Sequence, residues 1–135
     1  MSDGELTLEQ ERLNRISGAV VDAAIKVHTQ LGPGLLEGAY QACLVHELKK
    51  RGLNVATEVE FPVEYDGIRI DVGYRIDILV EGEVVVETKA VEALNSVHEA
   101  QLLSYLKLGK KRLGLLLNFS VRRMKDGIKR MVNKL

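Results

Sequence analysis

Cysteine, tryptophan and proline are scarce in this sequence. Its 135 residues include one cysteine, Cys43, no tryptophan and two prolines. A single cysteine excludes an internal disulfide and a zinc site built from several cysteines, and it favours a reducing compartment, so we expect a cytoplasmic protein. Aromatic residues make up only 4% of the chain. A stacking platform for single-stranded nucleic acid is therefore not evident from the sequence.

Long apolar runs are also missing. Hydrophobic residues make up 46% of the chain, but no run approaches the roughly 20 residues that a membrane-spanning helix needs. The N-terminus carries Asp3 and Glu5 instead of a basic region followed by an apolar stretch, so we expect no signal peptide. We predict a single domain over residues 1–135, with a frayed tail at residues 1–6 and no membrane association. The oligomeric state stays open.

Net charge is absent as well, but the charges are unevenly distributed. The formal net charge is zero, yet residues 1–105 sum to −9 and residues 106–135 to +9. A basic segment beside an acidic body is typical of a surface that faces a polyanion. The alternative is a basic tail, residues 119–135 above all, that only neutralises the acidic body. The candidate nucleic-acid contacts are Arg122, Arg123, Lys125, Lys110 and Lys111.

The most informative stretch, residues 73–90, is predicted to form two strands around a turn. Apolar and polar residues alternate over residues 75–80, and a run of three valines follows at residues 84–86. Such a β-branched run is typical of a strand that is covered on both faces. Residues 81–83, Glu-Gly-Glu, supply the turn.

Three charged residues interrupt this apolar hairpin, namely Asp77, Glu87 and Lys89. Glu87 and Lys89 are two residues apart and share a face, and Asp77 joins them if the loop has an odd number of residues. Burying charge is costly unless the charge is paired or ligates a metal. Because carboxylate oxygens suit Mg²⁺ (or Mn²⁺), the pattern indicates a divalent-cation site, with a lysine that orients or helps to deprotonate water. The alternative is a carboxylate–lysine pair at the end of a sheet.

Two helices are predicted before this hairpin, one from a capping box at residues 7–10 to about Leu31 and one over about residues 35–51. Glu37 falls on the apolar stripe of the second helix together with Tyr40, and Cys43 is expected in the core. The position of Glu37 is explained either by the helix dipole in the first turn or by a third carboxylate at the metal site. Both explanations stay open.

The strands and the last helix follow from turn and capping signals. Asp66 and Gly67 predict a hairpin whose first strand, interrupted by Pro62, lies at a sheet edge, and Gly73 predicts a bulge. The pairs expected across that hairpin are Tyr65 with Ile68, Val63 with Ile70, and Phe61 with Val72. A capping box at residues 96–99 starts a helix to about Leu108, which leads to a buried strand parallel to a neighbour. An edge strand or a short helix ends the chain.

This order of helix, three antiparallel strands, helix and strand, with Asp77 and Glu87-Thr88-Lys89 in place, resembles the PD-(D/E)XK nuclease superfamily. Within it, residues 34–40 match the GxxExxY motif of a group of small bacterial and archaeal proteins. The resemblance implies an α/β fold with a restriction-endonuclease-like αβββαβ core. A central mixed four-stranded sheet would be flanked by helices, with one extra helix at the N-terminus.

The resemblance also implies roles for individual residues. Asp77, Glu87 and Glu37 would hold Mg²⁺, and Lys89 matches the catalytic lysine. Gln101 and Tyr105 resemble the QxxxY motif of related nucleases, although a polar stripe on an exposed helix face explains them equally well. The residues expected to position substrate are Gln101, Tyr105, Tyr40 and His98. The leading hypothesis is metal-dependent hydrolysis of nucleic acid, and the alternative is a catalytically silent module that binds nucleic acid or a partner protein.

Overall fold

A computed structural model describes the chain over residues 5–134, apart from the side chain of Val72. Its elements, in chain order, are α1 (Leu8–Leu31), α2 (Glu37–Lys50), β1 (Val55–Tyr65), β2 (Ile68–Val80), β3 (Val84–Lys89), α3 (Ser96–Gly109), β4 (Leu113–Asn118), the 3₁₀ helix η1 (Met124–Gly127) and β5 (Ile128–Val132). Of the predicted frayed tail, residues 1–4 lie outside the described residues, and Glu5 and Leu6 are exposed without regular structure.

The strands form one mixed sheet in the order β1-β2-β3-β4-β5. Strands β3 and β4 are parallel because helix α3 connects them, and the other neighbours are antiparallel. The predicted order of elements is confirmed, including the extra helix at the N-terminus. The sheet has five strands in place of the expected four, since the C-terminal segment forms η1 and then adds β5 to the edge of β4.

Helices cover both faces of this sheet. Helices α1 and α2 share one cluster of buried apolar side chains with Val84 and Val86, whereas α3 shares another with Val85 and Leu116. Successive residues of a strand point to opposite faces, so α1 and α2 lie on one face and α3 lies on the other. The valine run of β3 is therefore buried on both faces, as its sequence predicts. Within residues 5–134, no helix combines the length and the apolar content needed to cross a bilayer.

The long hairpin of β1 and β2 confirms two of its three predicted pairs. The two pairs nearest the turn are confirmed, and Pro62 lies on an edge strand. The pairing of Phe61 with Val72 is wrong, because a register shift between Phe61 and Val63 places Tyr74 opposite Phe61. The extra residues of β2 at this shift include Gly73, where the sequence predicts a bulge.

Cys43 is exposed and does not belong to the core, contrary to expectation. The buried stripe of α2 consists of Tyr40, Leu44, Glu47 and Leu48, and it is rotated away from Cys43. Glu47 tolerates burial because it forms ion pairs with Arg51 at 3.0 Å and Lys26 at 3.2 Å.

Candidate active site

The turn between β2 and β3 determines which side chains of these strands face each other. Ile78 pairs with Val86 and Val80 pairs with Val84, so three residues form the loop. The ladder ends at Ile78 and Val86, and Asp77 and Glu87 are the next residues of the two strands. Leu79 and Val85 pair with each other and pack against α3, and Glu87 lies on the same face of β3 as Val85. Ile76 packs on the α3 side and Ile78 on the α1 side, so the alternation of β2 is interrupted at Asp77. Lys89 follows Glu87 by two residues and shares its side of β3.

Beyond Ile78, the two carboxylates replace the backbone hydrogen bonds of the β2–β3 ladder. Glu87 Oε2 accepts a hydrogen bond from the Asp77 amide at 2.6 Å. Reciprocally, Asp77 Oδ2 accepts from the Thr88 amide at 2.9 Å and from the Thr88 hydroxyl at 3.1 Å. Within the described part of the chain, hydrogen bonds to this pair reach only Oδ2 and Oε2. Asp77 Oδ1 and Glu87 Oε1 thus keep their lone pairs for a cation or for water.

Burial and mutual repulsion shift the pKa values of both carboxyl groups upward. Burial raises the pKa of Glu87 to about 8, the negative charge of Asp77 adds to the rise, and the Asp77 amide and Lys89 oppose it. Burial likewise raises the pKa of Asp77, against the hydrogen bonds from Thr88 and the charge of Lys89. Glu87 therefore holds a proton at neutral pH unless a cation displaces it. Shifted pKa values of this kind are concentrated at functional sites.

Glu37 lies at the start of α2, exposed to solvent, and its charge also raises the pKa of Glu87. Among residues 5–134, however, no three histidine, cysteine, aspartate or glutamate side chains converge closely enough to hold a metal ion. The expected set of three carboxylates is thus assembled only in part, with Asp77 and Glu87 together and Glu37 near them. Mg²⁺ is usually bound by one or two carboxylates, with water and phosphate completing its shell. The oxygen donors of Asp77 and Glu87 fit that requirement.

Helix α3 brings Tyr105 close to the two carboxylates. Tyr105 is 7% exposed, and its pKa is raised by burial, by the charge of Glu87 and by that of Asp77. A hydrogen bond from Gln101 acts in the opposite direction. Gln101 itself lies one turn earlier on α3 and is exposed, as the alternative of a polar stripe on a solvated face predicts.

The other two residues expected to position substrate, Tyr40 and His98, form hydrogen bonds with backbone groups that are close to them in the chain. Tyr40 is fully buried and stacks on Phe119 at 4.6 Å, and its hydroxyl donates to the Gly32 carbonyl and accepts from the Leu35 amide. It fixes the loop that leads into α2 and Glu37.

His98 completes the N-terminal cap of α3. Its Nδ1 accepts a hydrogen bond from the Asn95 amide at 3.2 Å, and the Asn95 side chain accepts from the amides of Val97 and His98. The capping box is present, but its N-cap is Asn95 and not Ser96. An asparagine is as good an N-cap as a serine, so the box starts one residue earlier than predicted.

The basic residues divide between the two ends of the sheet. Arg122, Arg123 and Lys125 line a cavity of about 490 Å³ between the end of α1 and η1. They follow β4, which runs parallel to β3, and the Phe119 amide donates to the Lys89 carbonyl at 2.9 Å. These three cations therefore lie at the end of the sheet that carries Glu87 and Lys89.

Lys110 and Lys111 lie at the opposite end. Lys111 Nζ donates to the Gly82 carbonyl, in the β2–β3 turn, at 2.8 Å. Five residues of extended chain separate Gly82 from Glu87, a distance of about 17 Å. The structure thus does not bring Lys110 and Lys111 to the carboxylates.

Sequence reasoning missed two residues that contact the Asp77 segment. Gln41 Nε2 donates to Glu58 Oε1 at 3.0 Å and to the Asp77 carbonyl at 3.4 Å. Glu58 lies opposite Asp77 in the β1–β2 register and has a φ of 51°, which is unusual for a non-glycine residue in a strand. Gln41 follows Glu37 by one helical turn, a spacing that would have pointed to it. The sequence did not point to Glu58, because a glutamate that alternates with apolar residues is typical of an ordinary edge strand.

Comparisons with known proteins show which family this chain belongs to. A family model, described as the PD-(D/E)XK nuclease superfamily, matches residues 14–131. No curated protein matches the sequence. Among solved structures, the crystal structure of SSO0001 is similar to this chain, with 18% sequence identity and a TM-score of 0.49. The similarity covers 89% of this chain and 66% of that one, so the chain spans just under two thirds of the length of that protein.

Proposed function

Since this chain belongs to the PD-(D/E)XK nuclease superfamily, we propose that it hydrolyses phosphodiester bonds of nucleic acid with the aid of a divalent cation. Nucleases of this superfamily generally use divalent metals. The main support is the reciprocal hydrogen bonding that holds the Asp77 and Glu87 carboxylates side by side, with Lys89 two residues after Glu87 on β3. Within the superfamily, the Gly34–Tyr40 motif supports a closer relationship to the GxxExxY proteins.

Asp77 Oδ1 and Glu87 Oε1 are the atoms that would bind the cation, Mg²⁺ or Mn²⁺. The cation supplies Lewis-acid stabilisation of the charge that develops on the phosphate. The backbone amides of Asp77 and Thr88 keep the carboxylates in place, so little reorganisation is needed when substrate binds. Glu37 adds negative charge near this pair, and in the proposed site it acts through water.

Lys89 provides the positive charge beside the carboxylates. Its ammonium lowers the pKa of Asp77 and of Glu87, so it lies within electrostatic reach of both. In the proposed reaction, Lys89 Nζ donates a hydrogen bond to the attacking water and orients it toward the phosphorus. Tyr105 and Gln101, on the α3 side, position the substrate or the water.

Arg122, Arg123 and Lys125 would hold the nucleic-acid backbone. They lie at the end of the sheet that carries the carboxylates, and exposed cations of this kind contact phosphates without reading the sequence. Affinity would then depend strongly on salt concentration and weakly on base sequence.

A second candidate function is binding without cleavage. It is favoured by one observation, namely that no three potential metal ligands converge within the described residues. In that case, the cations after β4 would still bind nucleic acid, but the Asp77–Glu87 pair would not support turnover.

Replacement of Lys89 by alanine separates the two candidates. We expect wild-type protein with Mg²⁺ or Mn²⁺ to cleave nucleic acid, and Lys89→Ala to lose at least about 100-fold in rate, the usual scale for a lost catalytic group. Binding affinity should change little, because one lysine adds little beside the other basic residues. Lys49→Ala removes an exposed lysine on α2 and serves as the matched control. Cleavage by Lys89→Ala at the wild-type rate would contradict the assignment, and wild-type binding without any cleavage would favour the second candidate.

A further inference from the structure

We propose that Tyr74 and Tyr105 form an aromatic wall on which an unpaired base stacks beside the carboxylates, so that the substrate is single-stranded or locally unpaired nucleic acid. The inference rests on the nuclease function proposed above and specifies its substrate class. It also revises an expectation from composition, since the scarcity of aromatic residues had given no sign of a stacking surface.

The wall is made by two residues that are distant in sequence. Tyr74 lies on β2 and Tyr105 on α3, and their ring centroids are 5.5 Å apart with an angle of 41° between the ring planes. Tyr105 is 7% exposed, whereas Tyr74 is 47% exposed. Tyr105 therefore supports the ring of Tyr74 from behind while about half of Tyr74 stays open to solvent. An aromatic side chain held in this way offers a rigid apolar surface at a low entropic cost.

This wall stands next to the proposed catalytic groups. Tyr74 precedes Asp77 by three residues, about 10 Å along an extended strand. Tyr105 lies within electrostatic reach of Glu87 and Asp77. A nucleotide whose phosphate meets the carboxylates can thus place a neighbouring base on Tyr74.

The charges around the site differ between its two sides. On the Tyr74 side, Arg75 is paired with Glu60 at 3.4 Å and Arg69 with Asp71 at 3.6 Å. On the other side, beyond Lys89, Arg122 and Lys125 are exposed cations, and Arg123 is paired with Asp126 at 3.4 Å. The site thus offers phosphate contacts on one side and an apolar ring on the other.

A single strand matches this arrangement better than a duplex does. Its phosphates can follow the cations while its bases are free to stack on an aromatic ring, and base stacking on aromatic side chains tolerates any sequence. In a duplex the base faces are buried in the stack, and exposing one costs unstacking energy.

The absence of tryptophan in the chain makes this inference directly measurable. In Tyr74→Trp the only indole of the protein would report on the wall. Tyr65→Trp is the matched control, because Tyr65 is 73% exposed on the same hairpin but lies near its turn, about 13 Å of strand from the partner of Tyr74. Both variants are made together with Lys89→Ala so that the oligonucleotide stays intact.

We expect a single-stranded oligonucleotide of about 16 nucleotides, a length at which the matching duplex stays annealed, to quench the Tyr74→Trp fluorescence saturably. A blunt duplex of equal length should quench it weakly, and Tyr65→Trp should respond to neither. Tyr74→Ala should bind the single strand about tenfold more weakly, in line with the loss of one stacked base, and Tyr74→Phe should bind it like wild type. If Tyr74→Ala fails to fold by circular dichroism, the fluorescence of Tyr74→Trp decides the question.

Two results would overturn the inference. One is equal quenching by duplex and single strand, and the other is an unchanged single-strand affinity of folded Tyr74→Ala. If the protein cleaves nucleic acid and either result is obtained, only the substrate class is wrong. If wild-type protein neither binds nor cleaves any nucleic acid, the proposed function fails and the inference fails with it.

Discussion

The carboxyl group of Glu87 is buried next to the carboxyl group of Asp77. Glu87 is 4% exposed, and burial together with Asp77 raises its pKa from 4.5 to about 8. The folded state therefore binds the Glu87 proton more tightly than the unfolded chain does. Below the pKa of the unfolded chain both states are protonated and this group leaves stability unchanged. The free energy of unfolding should then fall as the pH rises from about 4.5 to about 8.

Glu87→Gln tests this statement in protein that is free of divalent ions. Glutamine cannot ionise, so we expect the variant to lose the part of the pH dependence that arises between pH 5 and 8. At pH 8 its melting temperature should exceed that of wild type by roughly 5 °C, a shift that corresponds to about 1–2 kcal/mol for a domain of this size. Addition of Mn²⁺ at pH 8 should raise the melting temperature of wild type and have little effect on Glu87→Gln.

Glu64→Gln, at an exposed position of the β1–β2 hairpin, is the control for the loss of a carboxylate as such. It should follow the wild-type melting curve at each pH. A variant Glu87→Gln with the same pH dependence as wild type would show that Glu87 is ionised in the folded protein, contrary to the arrangement described above.

At the scale of elements, strand β4 divides the basic segment into two groups. Arg122, Arg123 and Lys125 follow its C-terminal end, and the lysines that precede it lie near the β2–β3 turn. Other cations of the segment contact acidic groups of the body, since Arg112 pairs with Glu9 at 3.3 Å. Ion pairing with the acidic body thus explains part of the charge asymmetry, and the group after β4 is the proposed nucleic-acid contact at the end of the sheet that carries the carboxylates.

Two triple variants with equal loss of charge test this division. Replacing Arg122, Arg123 and Lys125 by alanine should weaken binding alike on every sequence. It should also reduce the slope of log affinity against log salt concentration by about two to three units, because each lost phosphate contact removes roughly 0.7 to 0.9. The control replaces Lys107, Lys110 and Lys111 and should change affinity by less than about twofold, since only long-range charge is lost at that end. Equal effects of both variants would mean that net charge, and not a local contact surface, governs binding.

At the scale of the whole molecule, the sequence was most informative where local rules decide the structure. The turn signal at residues 81–83 gave the loop between β2 and β3, and the capping box at Thr7 marked the start of α1. The element order followed from hydrophobic periodicity and turn signals in the same way. These features depend on neighbours in the chain, so a single sequence is enough to predict them.

Features that depend on tertiary packing could not be predicted from a single sequence. The contact of Tyr74 with Tyr105 needs both the register shift near Gly73 and the docking of α3 on the sheet. The burial of Glu47 depends on its ion pairs with Lys26 of α1 and with Arg51. Periodicity alone does not reveal such pairing between separate elements.

The most direct test of the account is a cleavage assay with wild-type protein and Asp77→Asn. Asparagine keeps an oxygen that can accept hydrogen bonds from Thr88, as Asp77 Oδ2 does, but it removes the charge needed for the cation. Asp71→Asn, at an exposed site on the same strand, is the control. With single-stranded DNA, RNA and duplex DNA as substrates, the account predicts cleavage by wild type and Asp71→Asn in Mg²⁺ or Mn²⁺, none in EDTA, and none by Asp77→Asn. Cleavage that persists in EDTA, or that proceeds at the wild-type rate in Asp77→Asn, would contradict it.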